Sequence, residues 1–140
     1  MAEAKKPTLE DIRKLIGKKK DDVLEIDKSM LRAFNQCIGE SDPKWEKTAH
    51  PGLLTAAMLS GGVLILGVPY PYKRGVAAGA DWEYLKPIKV GDVITTTHEF
   101  ADIQDKSSEK GPRALMIFKS THKNQKGEVV AISTNTVMSY

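Results

Sequence analysis

Cysteine is almost missing from this sequence: Cys37 stands alone, so no intrachain disulfide can form and no thiolate-rich metal site can be assembled. Histidine is scarce too. Two of the three histidines, His98 and His122, fall inside strand-like stretches, where an isolated imidazole reads as a surface or hydrogen-bonded side chain, and no metal is assigned. Charge of one sign is also lacking. The 21 basic and 18 acidic residues are spread along the chain and leave a formal charge of +3, with one basic cluster at Lys18, Lys19 and Lys20. Such mixing speaks to solubility and gives no nucleic-acid footprint. No apolar run reaches the ~20 residues of a bilayer span. The most apolar segment, Gly52 to Val68, is short and carries Thr55, Ser60, Gly61 and Gly62. Met1 to Pro7 is followed by no apolar stretch, which argues against a secretory signal. The expected setting is a reducing cytoplasm, with no membrane and no nucleic-acid partner.

What is present fits one domain: 140 residues with 41% hydrophobic content can enclose a real core. The single domain is expected to span residues 1–140, with 1–22 as a peripheral N-terminal segment. Thr8 is placed to cap a short helix carrying Leu9, Ile12, Leu15 and Ile16, with Gly17 as its stop. Val23 to Ile26 suits a brief strand. Asp27 then caps a second helix that carries Leu31, Phe34 and Ile38 on one face and ends at Gly39. Glu40 to Pro51, with prolines at both 43 and 51, reads as a loop. From Leu53 to Leu66 apolar residues occur on every helical face, the pattern of a helix enclosed by other structure. Proline at 69 and 71 forces Val68 to Tyr72 into an extended linker. Four stretches rich in β-branched and aromatic residues follow: Ala77 to Tyr84, Val93 to Ile103, Ala114 to Lys123 and Val129 to Met138. Asn124 to Gly127 supplies a hairpin turn between the last two. Apolar neighbours such as Val93-Ile94 and Val129-Val130 spoil strict alternation and suggest that both sheet faces are partly covered.

Four pieces in order carry a family resemblance. The run Ala80-Asp81-Trp82-Glu83-Tyr84-Leu85-Lys86-Pro87-Ile88-Lys89-Val90-Gly91-Asp92 resembles the strand and turn before the long strands of MaoC-like dehydratases, and Asn124 to Ala131 looks like their last hairpin. With Phe34 to Trp45 and Val68 to Gly75, the likeness runs from about Val23 to Tyr140 and is closest to the N-terminal, fungal-fatty-acid-synthase-like branch. The resemblance implies an α+β hot-dog fold, an antiparallel sheet wrapped around a long central helix. It also implies hydration or dehydration of acyl chains carried as coenzyme A or acyl carrier protein thioesters, bound along that helix at a dimer interface.

Catalytic members place Gly-Asp-x-Asn-Pro-x-His after the short helix, its aspartate and histidine positioning water and moving protons. Here the matching residues are Gly39-Glu40-Ser41-Asp42-Pro43-Lys44-Trp45. Glu40 stands at the aspartate position, and Trp45 stands at the histidine position, where an indole cannot exchange a proton at neutral pH. No catalytic residue is therefore expected in this chain, with Glu40 and Asp42 as the fallback pair if it proves active alone.

The expected substrate-binding set is Trp45, His50, Gly52, Tyr70, Tyr72, Lys73 and Arg74. Gly52 opens the apolar helix, where free amides and the helix dipole could polarise a thioester carbonyl. His50 lies beside it and reads as an exposed or structural residue. Tyr70 and Tyr72 could cover an alkyl chain, and Lys73 and Arg74 could meet carrier phosphates. Trp82 and Tyr84 share a strand face and read as packing. The functional expectation is an acyl-binding subunit of a heteromeric enoyl-CoA hydratase or 3-hydroxyacyl-thioester dehydratase of lipid metabolism, with the acid and base on a partner hot dog. No cofactor is implied beyond the thioester carrier itself. The alternatives are a homo-oligomeric hydratase or thioesterase using Glu40 or Asp42, and an acyl-CoA binding protein without turnover.

Overall fold

In the computed structural model, residues 4–58 and 61–140 are described. Helix α1 (Leu9–Arg13) is capped by Thr8, whose hydroxyl accepts from the Asp11 amide while Asp11 reaches back to the Thr8 amide. Strand β1 (Lys19–Glu25) follows, then helix α2 (Lys28–Ile38). At the start of α2 the Asp27 carboxylate accepts the Met30 N–H at 2.8 Å, and at its end Gly39 takes a left-handed φ of 70°. Replacing Asp27 by alanine is expected to cost about 1 kcal/mol, read as a lower urea midpoint with an unchanged slope. A 3₁₀ turn (Pro43–Glu46) leads to helices α3 (Pro51–Met58) and α4 (Gly61–Leu66).

The remainder is sheet: β2 (Gly75–Tyr84), β3 (Val93–Asp105), β4 (Ala114–Lys123) and β5 (Val129–Ser139). All five strands form one sheet in the order β1-β3-β4-β5-β2, each neighbour antiparallel. Burial alternates cleanly along β3 and β4. Ile94, Thr96, His98 and Phe100 point inward from β3, and Ala114, Met116, Phe118, Ser120 and His122 from β4. A bulge between Phe100 and Asp102 then brings Ile103 inward.

Two apolar clusters fill the helix side of the sheet. One joins Ile26, Leu31, Leu53, Leu54, Ile94 and Val130, and the other joins Ile12, Leu66, Phe100, Met116, Phe118 and Val137. Between them a buried polar belt crosses three strands: Thr96 and His98 on β3, Ser120 and His122 on β4, and Ser133 on β5.

Three expectations need correction. The supposed peripheral segment is built into the fold, because Ile12 is fully buried and β1 begins at Lys19, inside the lysine cluster, pairing with Glu99 on β3. Within the apolar stretch 53–66, α3 and α4 cover the described residues, and 59 and 60 lie outside them. It is not enclosed on every face: Leu53, Leu54 and Leu66 are buried, but Leu64 is 75% exposed, with no described residue lying over it. Lastly, the sheet has one well-covered face, and Val93 and Val129 lie only half-buried beside fully buried Ile94 and Val130.

The two sheet edges differ. Five of the seven residues of β1 are charged, which guards its outer edge. The first six residues of β2, Gly75 to Ala80, carry no charge, and all but half-buried Gly75 are exposed.

Candidate functional site

The 3₁₀ turn, the start of α3 and the segment after β2 enclose a cleft of about 470 Å³ lined by Trp45, Ala49, His50, Tyr84, Lys86 and Ile88, among others. Its geometry starts from Pro51, which begins α3 and places Gly52 in the first helical turn. The Gly52 amide donates to His50 Nδ1 at 3.1 Å. Because Nδ1 accepts, the proton of the neutral ring sits on Nε2. The imidazole is packed against Trp45, with ring centroids 4.8 Å apart, and against Phe34 at 5.9 Å. His50 is therefore half-buried and clamped, not an exposed side chain. Gly52 and His50 act as one unit: the amide expected to face a carbonyl is engaged by the imidazole.

Tyr84 anchors the same rim. Its hydroxyl donates to the Pro51 carbonyl at 2.7 Å, so the Thr55 hydroxyl, 2.8 Å away, donates to the Tyr84 oxygen. Reading Tyr84 as packing missed this role; no local pattern links residue 84 to residue 51. Trp45 is held by the Asn35 side-chain amide, which donates to its carbonyl at 3.0 Å, while Lys44 lies over its ring at 4.8 Å. Lys86 pairs with Glu128 across the following hairpin, and this bond holds the Glu128 carboxyl below its usual range.

Glu40 and Asp42 line a separate concavity with Lys28, Arg32 and Asn35. One Glu40 oxygen accepts from the amides of Ser41 and Asp42, and Asp42 accepts from the Lys44 amide as cap of the 3₁₀ turn. Both carboxylates thus shape the loop, and neither lines the cleft that holds Trp45 and His50.

Tyr70, Tyr72, Lys73 and Arg74 lie at the far end of β2. Ten residues at ~3.3 Å each separate the two strand ends by roughly 30 Å. Tyr70 covers Gly75, where an added Cβ would stand 2.5 Å from the ring, so a larger residue here requires the Tyr70 ring to move aside. Tyr72 packs on the second apolar cluster, and Lys73 and Arg74 are exposed. The expected binding set is thereby divided: Trp45, His50 and Gly52 come together, and the other four do not join them. Between the two groups runs a crevice of about 360 Å³ whose walls are cut back to small residues, Gly62 on α4 and Ala77 to Ala80 on β2, over a floor that includes Phe118. Among the described residues no His, Cys, Asp and Glu group could hold a metal, and no helix is long and apolar enough to cross a membrane.

A five-stranded antiparallel sheet packed against an apolar helical segment, with a cleft at the start of that segment, is the architecture of a hot-dog domain. Residues 14–133 match the FAS1-like dehydratase domain region, and the chain belongs to that family. Solved structures agree on the fold. The C-terminally truncated HadBC (3R)-hydroxyacyl-ACP dehydratase complex from Mycobacterium tuberculosis superposes with a TM-score of 0.72 at 13% identity, covering 89% of this chain and 96% of that one. The MaoC-like dehydratase from Rhodospirillum rubrum gives 0.65 at 23% identity, covering 95% and 96%. The (R)-hydratase of A. caviae involved in PHA biosynthesis gives 0.65 at 19% identity, covering 87% and 94%. No curated protein matches the sequence.

Proposed function

We propose that this chain is the acyl-binding subunit of a heteromeric hydratase or dehydratase acting on acyl thioesters, the aspartate and histidine being supplied by a second hot-dog subunit. The observation that carries the reading is Trp45: where the catalytic motif needs a proton-exchanging imidazole, an indole lines the cleft. Glu40 and Asp42 lend support, since one oxygen of each is engaged by loop amides on the other side of the turn. A partner is favoured by the bare outer edge of β2 and by exposed Leu64 and Val76, an uncharged surface suited to pairing with another sheet. The HadBC neighbour is itself a complex. In this reading the acyl chain lies in the crevice between α4 and β2, so Lys73 and Arg74 stand beyond its tail and away from the carrier phosphates, which leave from the sulfur side of the thioester.

Loss of the conjugated enoyl absorbance of crotonyl-CoA is the test. The purified chain alone is expected to show negligible hydration, and activity is expected to appear on coexpression with a subunit bearing an intact Gly-Asp-x-Asn-Pro-x-His motif. Rapid turnover by the single chain overturns the proposal.

A further inference from the structure

Within that acyl-thioester reading, on which this step rests, we infer that His50 is a substrate-polarising residue, its Nε2–H donating to the thioester carbonyl oxygen in the Trp45 cleft. Three features place it there. The Gly52 amide at the start of α3 donates to Nδ1, which leaves Nε2 as the protonated nitrogen of the neutral ring and so makes it a donor rather than a base. The Trp45 and Phe34 rings hold the imidazole from two directions, which fixes its orientation before any ligand arrives. Nε2 has no partner among the described residues, yet it is not one of the sealed unpaired atoms, which are Asn35 Oδ1, Trp82 Nε1 and His98 Nε2. It is therefore accessible with its proton unspent, on a residue that lines the cleft.

The arrangement passes the polarity of the helix start through the ring. Gly52 N–H points at Nδ1, and Nε2–H points onward, so the two donors lie in series and each strengthens the other. An amide at a helix start and a carbonyl-binding imidazole are thus one device. The walls around it, Trp45, Pro51, Leu85, Pro87 and Ile88, are largely apolar, which suits a flat enoyl group and raises the worth of a single hydrogen bond. When water adds across a double bond conjugated to that carbonyl, the electron pair moves onto the same oxygen before a proton returns to the α-carbon. A fixed donor at that oxygen stabilises the charge as it grows. The proton-moving groups still come from the partner. His50 contributes the hydrogen bond and keeps its own proton.

The test is calorimetric titration of the full chain with crotonyl-CoA and with free coenzyme A, for wild type, His50→Phe and His50→Gln. His50→Phe keeps a ring between Phe34 and Trp45 but removes both nitrogens. It is expected to weaken crotonyl-CoA binding about ten-fold, the worth of one neutral hydrogen bond, and to leave free coenzyme A unchanged. His50→Gln, which carries an amide donor, is expected to recover most of the loss. Two wild-type measurements do not depend on the folding of any variant: the ¹⁵N spectrum should show an unprotonated Nδ1 and a protonated Nε2 for His50, and the bound thioester carbonyl should absorb at lower infrared frequency than the free one. Crotonyl-CoA binding that is equal in wild type and His50→Phe, an unshifted carbonyl, or a proton on Nδ1 overturns the role of His50 alone. Failure of the wild type to bind crotonyl-CoA or coenzyme A at all overturns both this inference and the acyl-thioester reading beneath it.

Discussion

Lowering the pH from 7 to 4 is expected to remove roughly 3 kcal/mol of folding stability through His122 alone, because its ionisation falls from the ordinary 6.5 to about 4 and each unit is worth about 1.4 kcal/mol. The cause is burial first and the neighbouring His98 second. In the belt between the two apolar clusters, His122 Nδ1 lies 2.7 Å from the Thr96 hydroxyl and Nε2 lies 3.1 Å from the Ser133 hydroxyl, while Trp82 stacks on the ring at 5.2 Å. Among the described residues, no acceptor for a second ring proton is aimed at it except hydroxyls already in use. His98 behaves alike: burial lowers its ionisation against the opposing pull of Asp22 and Asp21, and its Nδ1 meets Ser120 at 2.8 Å.

The sign follows from these directions. Both rings titrate lower in the folded chain than in the unfolded one, so the stabilisation is full above about pH 6.5 and is lost as the unfolded state takes up protons below it. From His122 the loss ends near pH 4. Asp11, Asp105 and Glu128, all held below the ordinary carboxylate range, then lose their contributions as the pH falls further, a lower window. Urea unfolding at pH 7, 5.5, 4.5 and 3 separates the two ranges. His122→Gln, which keeps an uncharged polar side chain, should flatten the upper window. A midpoint that does not move between pH 7 and 4.5 contradicts the assignment.

Substitution Ala80→Phe is expected to abolish preference for longer acyl chains. Ala80 shares a strand face with Trp82, two residues on, and lines the crevice opposite Gly62 and Val63. A phenyl ring there occupies much of the roughly 360 Å³ that the small residues leave open. Shape exclusion in an apolar pocket discriminates by about 10- to 200-fold per step of chain size. Octanoyl-CoA binding should therefore fall about 100-fold, while acetyl-CoA binding should stay within about three-fold. Equal losses for both chains would move the acyl site elsewhere.

Ala80 also illustrates how little of the site lay in plain view along the chain. Ala77 to Ala80 reads as a weak strand, and nothing local says that the absent side chains form a crevice with Gly62, a residue on another element. The strands themselves were legible. Val93, Ile94 and Phe100, or Met116 and Phe118, mark extended segments by residue type, and the observed β3 and β4 begin at the expected Val93 and Ala114. The caps were equally readable: Thr8 and Asp27 each accept the amide three residues on, and Gly39 takes the left-handed turn. Apolar composition misled at 53–66, since it reports a preference for burial and not whether this chain or another covers Leu64.

By itself the sequence determined the elements, their order, the loss of an imidazole at Trp45 and the family to which those residues point. These are matters of local propensity and residue identity, which a linear string carries whole. Only the tertiary structure decided that His50 meets Gly52 and Trp45 in one cleft, that Glu40 and Asp42 face elsewhere, and that Tyr70 to Arg74 stand a strand's length away. Those relations depend on strand register and helix docking, which are set by long-range packing of the two apolar clusters around the polar belt.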